Sequence, residues 1–432
     1  MKNENLLNKD LFIKNRQNLY KMVKDNSLII LFSADTYPRS GNQPFKFRQN
    51  SDLFYFSGLD QEKTILLLYK DSKNKTIREY AFIVEPNENM LIWTGHKLLK
   101  DEAKNISGIE KIEYLKSFAD IYNNLVTKVD SIYYSFSSNI RSGKVGNTNL
   151  TDWKNTFETK YPNKLYLDLD LYSHVLRLQK SSAEVGTMRQ ACNITGEAFL
   201  SASRFLKPGV YENQVEAEIT RVFLSMGARD FAYLPILASG KNNCVLHYST
   251  NREMCKGGDL LLMDFGSEFN YYSSDLSRTI PISGKYTARQ KEVYNSVLNV
   301  HKEIKKKFVV GSSLPKLNEE CGKLIEEELL KLGLLKQNDI KNQNPENPAY
   351  KRYYMHGVSH YMGLDVHDVG DRTIELLPGM VMSCEPGIYI AEEGFGIRLE
   401  NDILITESTP VDLCENIPIE AEEIEDLMNS GK

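Results

Sequence analysis

One segment of the chain restricts the fold more than any other, because it places single carboxylates at the ends of long apolar runs. In LLLMDFGSEFNYYSSDLSRTIPI (260–282), an apolar run ends at Asp264 and a second strand-like run opens at Asp275. A hairpin centred on Phe269-Asn270 would place the two carboxylates opposite each other on one sheet face, about 5 Å apart. Opposed carboxylates repel, and a hard divalent cation between them removes the repulsion. The alternative is a pair of solvent-facing aspartates, although the apolar run before Asp264 argues against full exposure.

Histidine is concentrated in a second segment, MHGVSHYMGLDVHDVG (355–370). The segment holds His356, His360 and His367, three of the seven histidines in the chain. Histidine is the commonest metal ligand and moves protons near neutral pH. The four-residue spacing of the first two would suit a helix, but Gly357 weakens that prediction, and the HExxH motif of zinc proteases is absent. Ordinary loop or core histidines remain the alternative.

Two glutamates lie in apolar surroundings further along the chain. Glu385 follows an apolar strand in MSCEPGIYI (382–390), and Glu400 is predicted in the middle of the strand GIRLENDILIT (396–406). Burying a lone charge is costly, so Glu400 needs a partner. Arg398, two residues earlier on the same strand face, could be that partner and would leave no metal to explain.

Taken together, these segments supply four carboxylates and one imidazole, which is more than one metal ion needs. Two divalent ions that share bridging carboxylates would use such a set, hold a water or hydroxide between them and polarise a carbonyl. Oxygen-rich ligation favours Mn²⁺, with Zn²⁺ and Co²⁺ as alternatives. The predicted metal ligands are Asp264, Asp275, His360, Glu385 and Glu400.

Composition narrows the class of protein. The length of 432 residues predicts two or three domains. The chain has 53 basic and 58 acidic residues, a net charge of −5, which argues against a protein that coats nucleic acid. Six cysteines without a CxxC pair favour a reducing compartment. The polar N-terminal segment has no apolar run long enough for a secretory signal or a membrane span, so we expect a cytoplasmic protein.

Strand and helix patterns divide the chain into two predicted domains. Alternating patterns predict a mixed α/β domain over residues 1–174, with strands at 28–34, 64–69, 80–84, 132–136 and 165–169. The second domain, residues 175–432, opens with a helix whose predicted N-cap is Ser182. Strand patterns dominate residues 234–282 and return at 379–406.

The order Asp, Asp, His, Glu, Glu resembles the pita-bread metallopeptidases, a superfamily that includes methionine aminopeptidase, prolidase, aminopeptidase P and the non-metal enzyme creatinase. The resemblance is closest to aminopeptidase P and covers nearly the whole chain. It implies an α+β fold in which a creatinase-like α/β domain precedes a pita-bread catalytic domain. The segments that carry it are FRQNSDLFYFSGL (47–59), LIWTGHKL (91–98), LHYSTN (246–251), MHGVSHYMGLDVHDVG (355–370) and GIRLENDILIT (396–406).

The resemblance also implies a role for each predicted ligand. Asp275 and Glu400 would bridge both metal ions, and Asp264 would complete one metal site. His360 and Glu385 would complete the other site. Glu385 would also be the general base that takes a proton from the bridging water.

Other residues match family positions that contact the substrate. The resemblance places His247 near the scissile bond, and His356 and His367 where they contact substrate and steady the tetrahedral intermediate. Arg398 would orient the metal ligands. All four side chains are therefore expected in the same pocket as the metal ligands.

In oligomeric relatives a tryptophan from a neighbouring N-terminal domain reaches the pocket, and Trp93 occupies the matching segment. The resemblance thus implies a homodimer or homotetramer, while a buried core tryptophan remains the alternative for Trp93. At Asn42 this chain departs from relatives that often carry an acidic residue there, which puts any role of that position in doubt.

The function implied by the resemblance is that of an Xaa-Pro aminopeptidase, which acts on peptides with proline in second position. A prolidase, which cleaves only Xaa-Pro dipeptides, shares the metal ligands and stays open. A third possibility is a pita-bread protein that has lost its metals and only binds partners, although such proteins usually lose ligands and here all five are present. We expect peptide substrates, and neither nucleic acid nor membrane as a partner.

Overall fold

A computed structural model of the chain describes residues 7–71, 74, 76–135 and 148–430. The chain forms two compact units, Met1–Arg177 and Leu178–Lys432. The domain boundary predicted between residues 174 and 175 falls inside the helix Asp170–Leu178, close to this division.

The first unit is built on one six-stranded sheet. The strands of the unit are β1 (Ser27–Phe32), β2 (Pro38–Ser40), β3 (Gln43–Pro44), β4 (Ile65–Asp71), β5 (Thr76–Ile83), β6 (Lys111–Tyr114), β7 (Ser131–Tyr134) and β8 (Leu165–Asp168). The order of the six-stranded sheet is β6-β5-β4-β1-β7-β8, with antiparallel pairing of β4 to β1 and β5 and parallel pairing elsewhere, while β2 and β3 pair separately. The helices are α1 (Lys9–Met22), α2 (Ser51–Ser57), α3 (Glu88–Thr94), α4 (Lys100–Ser107), α5 (Phe118–Val126), α6 (Thr148–Lys160) and α7 (Asp170–Leu178).

The central strands of this sheet are buried on both faces, which is why their sequences are apolar without interruption. All six residues of β1 are buried, and an aromatic cluster that includes Tyr122 and Trp153 packs with its alternate residues. The strands predicted over 28–34, 64–69 and 80–84 correspond to β1, β4 and β5. Those predicted over 132–136 and 165–169 correspond to β7 and β8, although Phe136 lies outside the described residues.

The second unit combines long helices with several small antiparallel sheets. Its helices are α8 (Ser182–Phe205), α9 (Glu212–Ser225), α10 (Ala288–Lys305), α11 (Leu314–Lys331), α12 (Gln337–Lys341) and α13 (Ala421–Asn429). Its strands are β9 (Asp230–Phe231), β10 (Ile236–Ser239), β11 (Leu260–Asp264), β12 (Ser267–Phe269), β13 (Tyr272–Ser273), β14 (Ser277–Pro281), β15 (Val381–Cys384), β16 (Gly387–Ile390), β17 (Phe395–Arg398), β18 (Asn401–Leu404) and β19 (Val411–Asp412). The sheets have the orders β10-β11-β14, β13-β12-β9, β15-β18-β19 and β16-β17.

Helix α8 begins one residue earlier than predicted. Its N-cap is Ser181, because the Ser181 hydroxyl accepts a hydrogen bond from the Glu184 N–H while the Glu184 carboxylate accepts one from the Ser181 N–H at 2.8 Å. This reciprocal pair is a capping box, which satisfies two donors that a helix start leaves without partners. The prediction of Ser182 as the cap was therefore wrong, since Ser182 is the first helical residue.

Within the described ranges, every helix is too short or too polar to span a lipid bilayer.

Candidate metal centre

The nine side chains predicted to form a site all line one cavity of about 370 Å³ in the second unit. The cavity wall is partly apolar, with Leu234, Ile236, Leu246 and Val366 among its residues. A peptide bound there would thus meet apolar surface together with a small number of charged groups, as in most small-ligand sites. The nine predicted residues are His247, Asp264, Asp275, His356, His360, His367, Glu385, Arg398 and Glu400.

The four carboxylates share a position in the topology, because each lies where the chain leaves one small sheet for another. Asp264 ends β11, and Asp275 precedes β14. Glu385 separates β15 from β16, and Glu400 separates β17 from β18, so the prediction that Glu400 lies within a strand was wrong. At these breaks the backbone is held by other segments, as when the Glu385 N–H donates to Val358 O at 2.9 Å.

The predicted pairing of Asp264 with Asp275 was also wrong. Strands β11 and β14 pair Asp264 with Ser277, because the turn lies one residue later than predicted, at Asn270-Tyr271. Both turn residues have positive φ (47° and 72°), as a two-residue type I′ hairpin turn requires. Asp275 falls in the irregular stretch between β13 and β14 and still lines the cavity beside Asp264.

Tyr233 joins the two aspartates and was missed by sequence reasoning. Its hydroxyl lies 2.6 Å from Asp264 Oδ1 and also contacts Asp275 Oδ1. A hydroxyl has one proton to donate, so it can satisfy only one of the two carboxylates at a time. Tyr233 lies between β9 and β10 in a segment without a recognisable motif, and only the pairing of Ile236 with Asp264 brings it to the cavity.

The centre of the cluster is formed by Asp275, His360 and Glu400, whose ligand atoms all lie within 4.8 Å of one another. His360 Nε2 is 3.3 Å from Asp275 Oδ2 and 3.7 Å from Glu385 Oε1. Burial alone would lower the pKa of His360, but the hydrogen bond to Asp275 and the charges of Glu385 and Asp275 raise it to about 9. Without a metal ion, a proton on His360 thus places a positive charge beside Asp275 and Glu385.

The negative charge of these carboxylates is disfavoured unless a cation or a proton compensates it. Burial raises the pKa of Asp275, and its repulsion from Asp264 acts in the same direction. Burial raises the pKa of Glu385 to about 7, and that of Glu400 well above its usual value, with the charges of Asp275 and Glu385 adding to the effect on Glu400. Four carboxylates and one imidazole around one cavity therefore fit two divalent ions with oxygen-rich ligation.

Arg398 compensates the charge of Asp264 and not that of Glu400, the partner considered from the sequence. Its guanidinium forms an ion pair with Asp264, and its Nε donates to Ser277 Oγ at 2.9 Å. Ser277 Oγ in turn donates to Glu400 Oε2 at 2.9 Å. Arg398 is therefore linked to Glu400 through a serine hydroxyl, and the alternative in which Arg398 is the direct ion-pair partner of Glu400 was wrong.

His356 is connected to Arg398 through Tyr389, a second residue that sequence reasoning missed. The Tyr389 hydroxyl accepts a hydrogen bond from Arg398 Nη1 at 2.9 Å and lies 2.7 Å from His356 Nε2. The other ring nitrogen, Nδ1, lies 2.9 Å from the carbonyl oxygen of Gly357. Burial and the charge of Arg398 lower the pKa of His356 to about 4. The ring is thus neutral near pH 7, with its proton on Nδ1 and with Nε2 accepting from Tyr389.

The other two predicted histidines complete the wall of the cavity. The His367 ring packs edge-on against the His360 ring, with centroids 4.3 Å apart. His247 follows Leu246, which also lines the cavity. His356, His360 and Gly357 lie in a non-helical segment, as the glycine suggested.

Trp93 and Asn42 lie in the first unit, and both are exposed. The side chain of Trp93, on helix α3, is 83% exposed, so the alternative of a buried core tryptophan was wrong. Its neighbours Leu91 and Ile92 are also exposed. Asn42 lies in the turn between β2 and β3, where its side-chain oxygen accepts a hydrogen bond from Gln43.

Two models of known protein families match the chain, one in each of its two units. Residues 186–407 match the model of metallopeptidase family M24, and residues 12–133 match the aminopeptidase P N-terminal domain. The chain is 33% identical to the Xaa-Pro aminopeptidase of Escherichia coli, with 98% of each chain covered. It is 30% identical to human Xaa-Pro aminopeptidase 3, with 93% of this chain and 81% of the relative covered.

Solved structures of aminopeptidase P match the chain over nearly its whole length. A zinc-substituted E. coli aminopeptidase P in complex with product has a TM-score of 0.89 and 31% identity, and the match covers 98% of this chain and 99% of the other. Proline aminopeptidase P II from Yersinia pestis also has a TM-score of 0.89 and 31% identity, with 98% and 100% covered. These matches confirm the predicted α+β fold with a pita-bread domain after an α/β domain. The chain belongs to metallopeptidase family M24, as a member of its aminopeptidase P branch.

Proposed function

We propose that this metallopeptidase releases the N-terminal residue from peptides that have proline in second position, with the help of two divalent metal ions. The observation that carries the proposal is the single cavity that gathers four carboxylates and His360, in a chain that resembles Xaa-Pro aminopeptidases over its full length. Peptides are therefore the expected substrates.

The metal ions would be held by the five predicted ligands. Asp275 and Glu400 would help to hold both ions, and the position of their carboxylate oxygens within 4.8 Å of each other supports this. Asp264 would complete one site, whereas His360 and Glu385 would complete the other. When bound, the ions would lower the pKa of a water molecule and polarise the scissile carbonyl. Four carboxylate ligands and one nitrogen ligand favour Mn²⁺. Zn²⁺ is the alternative, because the E. coli aminopeptidase P has a zinc-substituted form.

Glu385 is proposed as the general base. Its carboxylate lies 3.7 Å from a ring nitrogen of both His356 and His360, and burial raises its pKa to about 7. A carboxyl group with a pKa near neutrality can accept a proton from water and give it up again in the same cycle. Glu385 would therefore take the proton of the attacking water.

The leaving nitrogen of an Xaa-Pro bond belongs to the proline ring, carries no hydrogen and must be protonated as it departs. His247 and protonated Glu385 are the proposed donors, since both line the cavity. His356 and His367 are proposed to contact the substrate and steady the tetrahedral intermediate. The hydrogen-bonded series from Arg398 through Tyr389 to His356 supports a fixed orientation of His356.

We also propose a role for each domain, an oligomeric state and a cellular location. Residues 175–432 would form the catalytic domain and residues 1–174 an accessory domain. The exposed apolar side chains of Leu91, Ile92 and Trp93 support association into a homodimer or homotetramer. The six cysteines are free thiols, which suits a reducing cytoplasmic location.

A panel of peptides tests the reaction. The purified chain, with metal content measured and Mn²⁺ supplied, is incubated with an Xaa-Pro dipeptide, an Xaa-Pro-Xaa tripeptide, a longer Xaa-Pro peptide and matched peptides with alanine in place of proline. Release of the first residue from the tripeptide and the longer peptide, but not from the alanine controls, is expected. Turnover of the dipeptide alone would instead identify a prolidase. A purified chain that neither binds metal nor cleaves any peptide would favour a binding protein.

A further inference from the structure

Cys192, Asp402 and Cys414 form a second cluster of potential ligands, outside the cavity wall. Cys192 lies on α8, Asp402 on β18, and Cys414 just after β19. All three are buried, and their sulfur and oxygen atoms lie within 4.8 Å of one another. None of the three lines the cavity. The cluster is connected to the metal centre because Asp402 Oδ2 accepts a hydrogen bond from the Asp275 N–H at 3.1 Å.

The Asp402 carboxylate lacks the compensation that a buried charge needs. Its side chain is fully buried, and Oδ2 accepts from the Cys192 thiol at 3.2 Å in addition to the Asp275 N–H. Its second oxygen, Oδ1, is buried and has no hydrogen-bond partner among the described residues. In the described part of the chain, no basic side chain forms an ion pair with Asp402. An isolated carboxylate in such surroundings is strongly destabilising unless a cation or a proton neutralises it.

We propose that Cys192, Cys414 and Asp402 form a third metal site, which binds a thiophilic divalent ion such as Zn²⁺. Sulfur ligands select such metals over the hard ions preferred by carboxylates. The cavity wall contains none of the six cysteines, so the two kinds of site differ in ligand chemistry. Two sulfurs and one oxygen leave one position of a tetrahedral shell for a fourth ligand.

The charges at the site can be balanced. The metal ion forms one bond to each sulfur as the two thiols lose their protons to solvent. Two thiolates and one carboxylate carry −3, and the ion reduces this to −1. The buried Arg278 guanidinium, which donates to Asn401 Oδ1 at 2.8 Å and to Ile417 O at 3.4 Å, is a nearby cation that would offset the remaining charge.

The position of the site gives it a structural role. A metal ion there would join α8, β18 and the segment after β19 at one point. The same Asp402 carboxylate holds the main chain of Asp275, which is proposed to help hold the catalytic ions. The third ion would therefore stabilise the backbone beneath the catalytic centre without contacting substrate.

X-ray absorption at the zinc edge tests this proposal directly. The full chain, freed of metal, is loaded with three equivalents of Zn²⁺, enough to fill the two proposed catalytic sites and the third site, because Zn²⁺ binds more tightly than Mn²⁺ and would otherwise displace it from the cavity. A zinc–sulfur component at about 2.3 Å is expected from the third site, because the cavity offers only oxygen and nitrogen ligands at about 2.0–2.2 Å. A zinc spectrum with oxygen and nitrogen neighbours alone would overturn the proposal and leave Asp402 as a protonated carboxyl group.

Serine substitution of single cysteines identifies which sulfur atoms bind zinc. Cys192→Ser and Cys414→Ser should each remove one sulfur from the zinc shell. Cys321→Ser is the matched control, because Cys321 is also a fully buried thiol but does not belong to the cluster of Cys192, Asp402 and Cys414. A sulfur shell that is lost in Cys321→Ser would contradict the assignment. If the Cys192 and Cys414 variants do not fold, the unsubstituted chain compared with Cys321→Ser still decides.

The result is independent of the proposed catalytic function. In Asp264→Asn, a cavity variant, the sulfur shell around zinc should persist even if peptidase activity is lost. Conversely, a chain that cleaves Xaa-Pro peptides but gives no zinc–sulfur distances would keep the proposed function and refute the third site.

Discussion

His360 Nε2 lies 3.3 Å from Asp275 Oδ2, at the point where three proposed metal ligands converge. In the metal-free chain the pKa of His360 is raised to about 9, so a proton compensates charge that metal ions would otherwise compensate. Protons and metal ions therefore compete for the same group of side chains.

This competition predicts how the metal-free chain responds to pH. The pKa of His360 is higher in the folded chain than its usual value of 6.5, so its stabilising effect is complete below pH 6.5 and is lost as pH rises towards about 9. The raised pKa of Glu385, about 7, acts in the same direction over a lower range. The melting temperature of the chain in EDTA should therefore fall from pH 6.5 to 9. The contribution of His360 to the free energy of unfolding should decrease by something on the order of 3 kcal/mol over this range.

Added Mn²⁺ should reverse this trend, because the ion replaces the proton and its binding releases protons at pH 7. Calorimetric titration in two buffers of different ionisation enthalpy measures the number released. A metal-free chain whose melting temperature is constant or rises over this pH range would contradict the ion pair between His360 and Asp275.

Replacement of Glu385 tests its proposed role as the base. Glu385→Gln keeps the size of the side chain but removes the proton acceptor, so kcat should fall by about 10²–10⁴-fold or more. Circular dichroism and the melting temperature should show that the fold is kept. Glu392→Gln, an exposed glutamate on the turn after β16, is the matched control and should retain activity. Near-normal activity of Glu385→Gln would remove Glu385 from the mechanism.

The hydroxyl of Tyr389 can be removed without changing the ring. Tyr389→Phe breaks the connection between Arg398 and His356, so we expect kcat to fall about 10–100-fold, the equivalent of one hydrogen bond to a charged group. The pH dependence of kcat should also change, because His356 loses the donor that keeps its Nε2 in the accepting form. Tyr361→Phe is the control, since that hydroxyl donates to Asp371 O and does not line the cavity. Equal effects of the two substitutions would show that only packing matters.

The start of helix α8 offers a test of stability at two adjacent serines. Ser181→Ala removes the observed cap and should reduce the free energy of unfolding of the second unit by about 1 kcal/mol. Ser182→Ala replaces a residue inside the first turn and should change it by a few tenths of a kcal/mol at most. Urea denaturation followed by circular dichroism compares the two. A larger effect at Ser182 would return the cap to the position that the sequence pattern predicted.

The chemistry of the candidate site could be predicted from local motifs. Asp264, His360 and Glu385 each lie in a short segment whose apolar surroundings and residue types indicate metal ligation, and the resemblance to aminopeptidase P added His247 and Arg398. All nine predicted residues line one cavity, while their individual roles stay predictions. The start of helix α8 was predicted to within one residue, although the wrong serine was chosen as its N-cap.

The partners of these side chains could not be predicted in the same way. Arg398 is separated from Asp264 by 134 residues, and its choice of Asp264 over the nearby Glu400 depends on how β17 lies beside β11 and β14. Tyr233 and Tyr389 join the site through hydroxyl groups that no spacing rule identifies. The single-residue shift of the turn at Asn270 altered every pairing along β11 and β14.

The sequence by itself therefore determined which residue types are available for metal binding, because ligand chemistry is a property of individual side chains in short segments. Only the tertiary structure decided which atoms meet, because distances between remote segments depend on strand register and on breaks between sheets. The cluster of Cys192, Asp402 and Cys414 is a feature that only the tertiary structure decided. Its members come from α8, β18 and the segment after β19, and their proximity arises only when these three segments meet in the folded chain.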